Sequence, residues 1–331
     1  MSAFVVWMVL HFLIAAMLAW LSIRYAISRN MLDEPGDRRS HAIATPRGGG
    51  LGIVVAVLVG CAWMLVQASG QPPGLLLFMV GLVLVAGIGW WDDHQALSPG
   101  IRLVVQAVAA VLLSILVWQS SGTWWQVALT FGLAMALTNV WNFMDGINGL
   151  ASLQAFIAAS LIAVLQVGPL GWLAAGLAAA CLGFLPFNFP RARIFLGDVG
   201  SGALGFILAG MLAWAMMLPQ STGSWLLLML PLAAFLVDAS FTLAERMLAG
   251  ERWWLPHVGH VYQRLARRVG HVPTTLGYGA FSLGGAFLAL LMSNDGVWKC
   301  FPVVAGWYLL ASTFWVLLRI GLGDKVKETG N

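Results

Sequence analysis

The chain has 331 residues, of which 60% are hydrophobic and 9% are charged, against roughly 25% charged residues in an ordinary soluble domain. A soluble globule of this size could not bury so much apolar surface, so the composition excludes a water-soluble protein. The net charge is only +4 and the basic residues do not lie on a soluble face, which argues against a nucleic-acid partner. The three cysteines lack metal-ligand spacing and are interpreted as packing residues.

Apolar stretches long enough to cross a lipid bilayer follow one another along nearly the whole sequence. A spanning helix needs about 20 mostly apolar residues, and polar residues, glycines or prolines separate these stretches. The sequence therefore predicts an all-α polytopic membrane protein with about eleven transmembrane helices, ten being the alternative. These helices are expected to form one membrane-embedded domain over residues 1–331. The predicted spans are 3–24, 49–68, 74–91, 101–119, 123–141, 148–167, 171–187, 200–217, 224–243, 275–293 and 300–320.

The connections between the spans alternate between short, nearly uncharged loops and longer, charged loops. Every lysine and arginine except Lys299 falls in the charged set. Because basic residues accumulate in cytoplasmic loops, we expect these loops and the C-terminus in the cytoplasm and the N-terminus on the periplasmic side. The acidic residues follow the same pattern, with only Asp295 on the outer face. This clustering favours a chemical site on the cytoplasmic face over a path through the membrane.

The first two charged loops suggest an anion site and a cation site. Arg47 precedes the glycines at 48–50 where the second span begins, and free N–H groups at a helix N-terminus favour a phosphate. A flexible basic loop beside anionic lipid headgroups is the alternative. Asp92 and Asp93 follow the third span, at a helix C-terminus whose dipole disfavours negative charge. A divalent cation would resolve that conflict, with a solvated acidic turn as the alternative.

Polar residues also interrupt the end of the fifth predicted span. If this segment is helical, Asn139, Asn142 and Asp145 lie within about 120° of one face. Asparagine and aspartate are costly inside an apolar membrane segment, so their presence indicates a functional site. Hydrogen bonding between helices is the structural alternative.

The eighth predicted span begins among glycines and follows a short basic segment. Asp198 lies at this start, a few residues after Arg191 and Arg193. A carboxylate, two cations and bare backbone together suit a metal-bound diphosphate. The alternative is that Asp198 caps its own helix.

The longest charged loop contains histidines and arginines at helical spacing. On a helix, His257, His260, Arg264 and Arg267 would lie within roughly 80° of one another, which predicts an anion-binding face. A zinc site is disfavoured because no thiol and no third histidine is near in sequence. A basic amphipathic helix on the membrane surface is the other alternative. Asp238, in the preceding span, is expected to pair with a nearby arginine.

These loops together supply carboxylates for a cation, cations for phosphates, and a membrane for an apolar substrate. That combination indicates phosphoryl transfer between a soluble nucleotide compound and a lipid. A transporter is the alternative from another class, but transporters tend to have repeats and broken helices that meet at the membrane midplane. Here the acidic residues lie at span ends on one side.

Four motifs occur along the chain in this order: Asp92-Asp93, Asn139-x-x-Asn142-x-x-Asp145-Gly-x-x-Gly149-Leu150, Phe195-Leu-Gly-Asp198-x-Gly-Ser201 and His257-x-x-His260. They resemble the motifs of the polyprenyl-phosphate N-acetylhexosamine-1-phosphate transferases, glycosyltransferase family 4, and the resemblance covers residues 33 to about 268. It implies a bacterial inner-membrane enzyme with a cytoplasmic active site, which uses Mg²⁺, or Mn²⁺ in its place, to transfer a sugar 1-phosphate from a UDP-sugar to undecaprenyl phosphate with release of UMP.

The resemblance also implies roles for individual residues. Asp198 would be the main metal ligand, with Asp93 beside it, and Asp92 and Asp93 would form an acidic pair near the metal and the lipid phosphate. Asn142 and Asp145 would line the nucleotide-diphosphate site. The catalytic set expected on this basis is Asp92, Asp93, Asp145 and Asp198, and the substrate-binding set is Arg47, Asn139, Asn142, Arg191, Arg193, His257, His260 and Arg264.

Two departures from the family pattern narrow the expected substrate. Many relatives have a second aspartate where this chain has Asn148, so no metal role is carried over to that position. The histidine loop lacks the consecutive histidines of the peptidoglycan-precursor, common-antigen and teichoic-acid enzymes. It ends in Tyr262-Gln-Arg-Leu, which resembles the subgroup that initiates O-antigen or other surface polysaccharides. We therefore expect a donor carrying GlcNAc or a 6-deoxy sugar such as FucNAc or QuiNAc. The phospho-MurNAc-pentapeptide transferase is the disfavoured alternative, and a homodimer is one expected assembly.

The expected reaction is direct attack by the lipid phosphate on the β-phosphorus of the UDP-sugar. A phosphate monoester has a second pKa near 6 and is mostly a dianion at pH 7, so it needs little help from a general base. The rival is a double displacement in which Asp92 or another acid forms a covalent phospho-enzyme.

Overall fold

The computed structural model describes residues 2–33, 44–67, 72–218, 225–252, 255 and 257–323. Over these ranges the chain is almost entirely helical. Two short strands, β1 at Leu32–Asp33 and β2 at Thr45–Pro46, pair in antiparallel fashion. A 3₁₀ segment at Trp225–Leu232 leads directly into α9. Helices α1 to α12 are, in chain order, Ser2–Ser28, Leu51–Gln67, Leu75–His94, Pro99–Ser121, Trp124–Phe143, Leu150–Leu165, Pro169–Asn188, Asp198–Met217, Ala233–Leu248, Val261–Val269, His271–Leu291 and Val297–Leu322.

The all-α polytopic architecture predicted from the sequence is confirmed. Among the described residues, eight helices are long and apolar enough to cross a membrane: α1, α3, α4, α7, α8, the 3₁₀ segment with α9, α11 and α12. Helices α2 and α6 are apolar but shorter, and α5 has 20 residues. Each of the predicted spans coincides with one of these helices. The number of helices that span the bilayer and their orientation stay predictions.

Helix α8 is the centre of the bundle. Its apolar stretch is fully buried, and it packs against α3, α4 and α5. Small residues permit this close packing, because lipid tails provide no hydrophobic drive between helices and association depends on close contact. At Gly205 of α8, an added Cβ would lie 2.1 Å from the carbonyl oxygen of Leu137 in α5. Helix α12 is the opposite case, with only 6% of its apolar stretch buried.

The polar motifs meet at one end of this bundle. Helices α3 and α5 end there and α4 and α8 begin there, because short connections make consecutive helices antiparallel. The first charged loop is closed at its base by the strand pair, in which Leu32 pairs with Pro46 and Asp33 with Thr45. Most of the polar stretch at 33–41 lies outside the described residues.

Single-cysteine labelling tests the predicted orientation. Ala96 precedes α4 at the charged end and Gln119 lies near its other end, and both are exposed, whereas the native cysteines Cys61, Cys181 and Cys300 are buried. If the charged loops are cytoplasmic, a membrane-impermeant maleimide will label Gln119→Cys in spheroplasts and Ala96→Cys only after permeabilisation. The reverse labelling pattern would contradict the predicted orientation.

Candidate active site

The carboxylate of Asp93, near the end of α3, binds the N-terminus of α8. Its Oδ1 accepts the backbone N–H of Asp198 at 3.0 Å and its Oδ2 accepts that of Val199 at 3.1 Å. A helix start leaves such N–H groups unpaired, and its dipole favours a negative charge. Gly197 has a φ of 75°, and a Cβ there would lie 2.6 Å from Asp93 Oδ2. The cap of α8 is therefore Asp93 and not Asp198, and the metal-ligand role expected of Asp93 stays a prediction.

Two glycines of the run at 48–50, Gly49 and Gly50, pack against backbone. Gly49 N–H donates to the carbonyl of Phe195 at 2.9 Å, and Gly50 N–H donates to that of Leu196 at 2.8 Å. A Cβ on Gly50 would lie 2.3 Å from the Cα of Gly200. The expectation that this run presents free N–H groups to an anion is therefore wrong for Gly49 and Gly50.

Arg47, just before these glycines, lies within electrostatic range of Asp93. Its Nε is buried and has no hydrogen-bond partner among the residues that the structure describes. A buried donor without a partner is costly, so this guanidinium is suited to an anionic ligand. Substrate binding by Arg47 stays a prediction, and the unpartnered Nε favours it.

Arg102, in the first turns of α4, connects three helices at the site. Its Nη1 contacts Asp92 Oδ2 at 2.5 Å and Asp198 Oδ2 at 2.9 Å, and its Nη2 donates to Asn142 Oδ1 at 3.0 Å. From the sequence, this arginine was counted only among the basic residues that predict the orientation of the helices. Its charge inside a predicted span was the signal that could have identified it, because an intramembrane charge is a functional candidate.

Asn142 completes the network from the end of α5. Its Nδ2 donates to Asp198 Oδ1 at 2.8 Å and to Ser201 Oγ at 3.0 Å. Asp92 Oδ1 accepts the backbone N–H of Leu97 at 2.6 Å. Both oxygens of Asp92 and both oxygens of Asp198 thus have hydrogen-bond donors, and one guanidinium is shared between these two acids.

Asp145 lies in the turn after α5 and differs from the other acids. Its carboxylate has no hydrogen-bond partner in the described part of the chain. Burial raises the pKa of Asp145 well above its ordinary value, and the negative charges of Asp198 and Asp93 raise it further. A bound cation would offset this repulsion, since it favours the ionised carboxylate.

The turn that carries Asp145 is held by Asn188 and Tyr262, neither of which was predicted to lie at the site. Asn188, at the end of α7, accepts the N–H of Gly149 at 2.7 Å. Tyr262, in α10, donates its hydroxyl to the carbonyl of Phe143 at 2.9 Å. A Cβ on Gly146 would lie 2.2 Å from this hydroxyl oxygen, so glycine allows the tyrosine to approach the turn.

Three predicted substrate-binding residues lie away from this network. Asn139 donates to Gln106 Oε1 in α4 at 2.9 Å, which is the hydrogen bond between helices that the sequence left as the alternative. Arg193 donates to the carbonyl of Pro186 at 2.9 Å. Arg191 and Arg193 are both exposed. Asn139 thus joins α5 to α4, and substrate binding by all three residues stays a prediction.

The two histidines precede α10 and do not share a helical face with its arginines. Helix α10 begins at Val261, so the predicted four-residue stripe is wrong for His257 and His260. Their rings stack with centroids 4.8 Å apart. Burial, followed by the charge of His260, lowers the pKa of His257 to about 4, and burial also lowers the pKa of His260. Both rings are neutral at pH 7, and Arg264 lies half-buried in the helix that follows.

Asp238 does not pair with an arginine as expected. Its two carboxylate oxygens accept the backbone N–H groups of Val261 at 2.9 Å and Tyr262 at 3.0 Å. It therefore caps α10 in the way that Asp93 caps α8.

Comparison with known proteins identifies the family. Residues 75–216 match the family model described as glycosyl transferase family 4. The chain is 30% identical over 288 residues to the decaprenyl-phosphate N-acetylglucosaminephosphotransferase of Mycobacterium leprae, covering 72% of this chain and 70% of that protein. It is 28% identical to the probable undecaprenyl-phosphate N-acetylglucosaminyl 1-phosphate transferase of Bacillus subtilis, over 73% of this chain and 71% of the relative. It is 34% identical to the phospho-N-acetylmuramoyl-pentapeptide-transferase of Thermosynechococcus vestitus, over 50% and 51% of the two chains.

A glycine-to-alanine pair tests the contact between α2 and α8. Gly50→Ala places a Cβ against the Gly200 backbone, which cannot move aside cheaply. Overpacking of this kind costs about 1–3 kcal/mol, so we expect the thermal midpoint in detergent to fall by about 2 °C or more. Gly132→Ala in α5 is the matched control, because a Cβ there meets nothing within 4 Å. Equal midpoints for the two variants would contradict the close contact.

Proposed function

Because the chain belongs to glycosyl transferase family 4, we propose that it transfers an N-acetylated hexosamine 1-phosphate from a UDP-sugar to undecaprenyl phosphate and releases UMP. The observation that carries this proposal is the network at the end of the bundle, in which Arg102 joins Asp92, Asp198 and Asn142. Relatives named for undecaprenyl-phosphate and decaprenyl-phosphate transferases support it. We further propose that the reaction takes place at the bacterial inner membrane and initiates O-antigen or a related surface glycan.

The two substrates of this reaction both carry negative charge. The attacking oxygen of the lipid phosphate bonds to the β-phosphorus of the UDP-sugar while the bond from that phosphorus to the bridging oxygen breaks. The bridging oxygen leaves on UMP with the electron pair. No proton has to be removed from the nucleophile, since a phosphate monoester is mostly a dianion at pH 7. The site must therefore hold two anions together, which fixed cations do by electrostatics.

The arrangement of Asp92 favours direct attack over a covalent phospho-enzyme. Both oxygens of Asp92 accept hydrogen bonds, from Arg102 and from the Leu97 N–H, and these bonds draw charge from the carboxylate and make it a weaker nucleophile. In the direct reaction Asp92 keeps Arg102 in place, and Arg102 in turn holds Asp198 and Asn142. Arg47, with its unpartnered Nε, is positioned to add positive charge beside the phosphates.

The acidic cluster fits a Mg²⁺ ion. Asp145 is a partly buried carboxylate without a hydrogen-bond partner among the described residues, and burial raises its pKa, as do the negative charges of Asp198 and Asp93. No group of three or more His, Cys, Asp or Glu residues in the described ranges has metal-binding geometry. Mg²⁺ in proteins is often held by only one or two carboxylates together with substrate phosphates. Asp198 and Asp145 would hold the ion, with Asp93 adjacent, and when bound it would neutralise phosphate charge.

The sugar pocket is proposed to include the histidine segment. His257 and His260 are neutral, since burial lowers the pKa of both, and neutral rings can donate and accept hydrogen bonds to sugar hydroxyls and diphosphate oxygens. Arg264 follows in α10. We propose GlcNAc, or a 6-deoxy sugar such as FucNAc or QuiNAc, as the transferred unit.

A phospho-MurNAc-pentapeptide donor is the second candidate. One relative of that name is 34% identical, but the alignment covers about half of each chain. The relatives named for N-acetylglucosamine transfer align over more than two thirds of both chains. The longer alignments favour a simple N-acetylhexosamine donor.

An assay of nucleotide release tests the proposed reaction. Purified protein in detergent with undecaprenyl phosphate and Mg²⁺ is given UDP-GlcNAc, UDP-FucNAc, UDP-QuiNAc or UDP-MurNAc-pentapeptide in turn. We expect UMP release from one N-acetylhexosamine donor, dependent on the lipid and abolished by EDTA. Release only from UDP-MurNAc-pentapeptide would replace the proposed donor with the second candidate. No release from any donor by folded protein would contradict the proposed reaction.

Replacing Asp92 and Asp198, the two acids that Arg102 contacts, distinguishes direct attack from a covalent phospho-enzyme. Asp198→Asn removes the proposed metal ligand, and we expect turnover to fall about 100-fold or more, the usual cost of losing one electrostatic contact to the transition state. Asp92→Asn keeps an acceptor for Arg102 or for the Leu97 N–H, so measurable activity should remain. Asp295→Asn is the control, because that carboxylate binds Lys299 far from the network in sequence. Complete loss in Asp92→Asn, together with a trapped phospho-aspartate in the wild type, would instead establish the covalent route.

A further inference from the structure

The carboxylate of Asp238 accepts five hydrogen bonds outside the network around Arg102. It lies in α9 and is 1% exposed. A buried charge is costly unless it is paired or hydrogen-bonded, and here donors from α9, α10, α11 and α12 surround it. Its Oδ1 accepts from Val261 N (2.9 Å), Thr242 Oγ1 (3.2 Å) and Trp315 Nε1 (3.3 Å), and its Oδ2 accepts from Tyr262 N (3.0 Å) and Tyr278 Oη (2.7 Å).

The two backbone bonds define where α10 begins. His260 occupies the cap position but provides no side-chain cap, so Asp238 supplies the acceptor that a Ser, Thr or Asp cap usually provides. His260 Nδ1 is 3.8 Å from Asp238 Oδ1, which is too long for a hydrogen bond. Asp238 therefore fixes His260 through the backbone, and its charge also acts on the ring across 3.8 Å.

Arg319 of α12 holds the residue on the other side of His260. Its Nη1 donates to the carbonyl of Gly259 at 2.7 Å. Its Nη2 and Nε contact the carboxylate of Glu245 in α9 at 2.5 and 3.3 Å. Such a two-pronged contact fixes the guanidinium plane. The least buried of the eight candidate spans, α12, thus reaches the segment 257–260 through one arginine.

The same segment contacts the turn that carries Asp145. The ring of His260 lies against that of Phe143, with centroids 6.2 Å apart, and Tyr262 donates to the Phe143 carbonyl. A shift in the start of α10 would therefore move the histidines relative to that turn.

We propose that Asp238 and Arg319 are positioning residues that set the geometry of the histidine segment 257–260. They act through the backbone at Gly259, Val261 and Tyr262 and touch no substrate. This inference rests on the proposed function, in which the histidines contact the sugar nucleotide and not the lipid chain. The affinity for the donor should consequently depend on both residues, while the affinity for the lipid should not.

Three variants test this role. Asp238→Asn keeps the volume but replaces one acceptor with an amide donor, and Arg319→Gln removes the contact to Gly259. Tyr278→Phe is the matched control, because it removes one hydrogen bond from Asp238 and leaves both backbone bonds in place.

We expect Asp238→Asn and Arg319→Gln to raise KM for the sugar nucleotide about tenfold, with KM for the lipid unchanged. Amide hydrogen exchange in the peptide covering 257–266 should become about fivefold faster, in line with the loss of a helix cap. Tyr278→Phe should stay within about twofold of the wild type in both measurements.

Wild-type exchange in both test variants, or an equal rise in KM for donor and lipid, would overturn the positioning role. If Asp238→Asn does not fold, Arg319→Gln decides the question, because Arg319 lies at the edge of the bundle. The exchange measurement needs no turnover. A wild-type protein that releases no UMP would therefore contradict the proposed function, while faster exchange confined to 257–266 would still support the role of these residues.

Discussion

The site depends on buried aspartates that bind the first N–H groups of a neighbouring helix. Asp93 does this for α8 and Asp238 for α10. Each pairing satisfies two groups that would be costly alone, an unpaired helix start and a buried negative charge. Because neither partner can move away without exposing the other to an apolar environment, the helix start becomes a fixed point. Asp198 at the start of α8 and His260 at the start of α10 are therefore held in fixed positions.

In the cluster around Arg102, acidic side chains outnumber basic ones. Arg102 balances part of the charge of Asp92 and Asp198, while Asp145 has a raised pKa because burial and its acidic neighbours oppose ionisation. A protein could relieve this excess with further basic residues inside the cluster. The excess instead suits a site that binds a divalent cation together with phosphates, since the cation would bring the charge needed to bind both anionic substrates.

The helices could be predicted from the sequence, and so could the end of the bundle at which the polar motifs meet. Long apolar runs identify spanning segments almost directly, and the polar motifs at Asp92, Asn142 and Asp198 do meet. The roles within the cluster were harder to predict, because a sequence does not show what a polar side chain binds. The cap that Asp93 provides for α8 was not predicted, and Gly49 and Gly50, which were expected to present free N–H groups, bond to backbone carbonyls instead. Arg102 was missed because its partners are distant in sequence.

The geometry of Arg102 has a consequence for ligand binding. An arginine has five N–H donors, and the bonds to Asp92, Asp198 and Asn142 use three of them, two from Nη1 and one from Nη2. One further N–H on Nη2 and the Nε–H are not used by these bonds. The guanidinium is therefore preorganised: a phosphate oxygen could bind to it without breaking the contacts that hold it, and little reorganisation energy would be lost on binding. A lysine, with a single ammonium on a flexible stem, could not combine this scaffolding with ligand recognition.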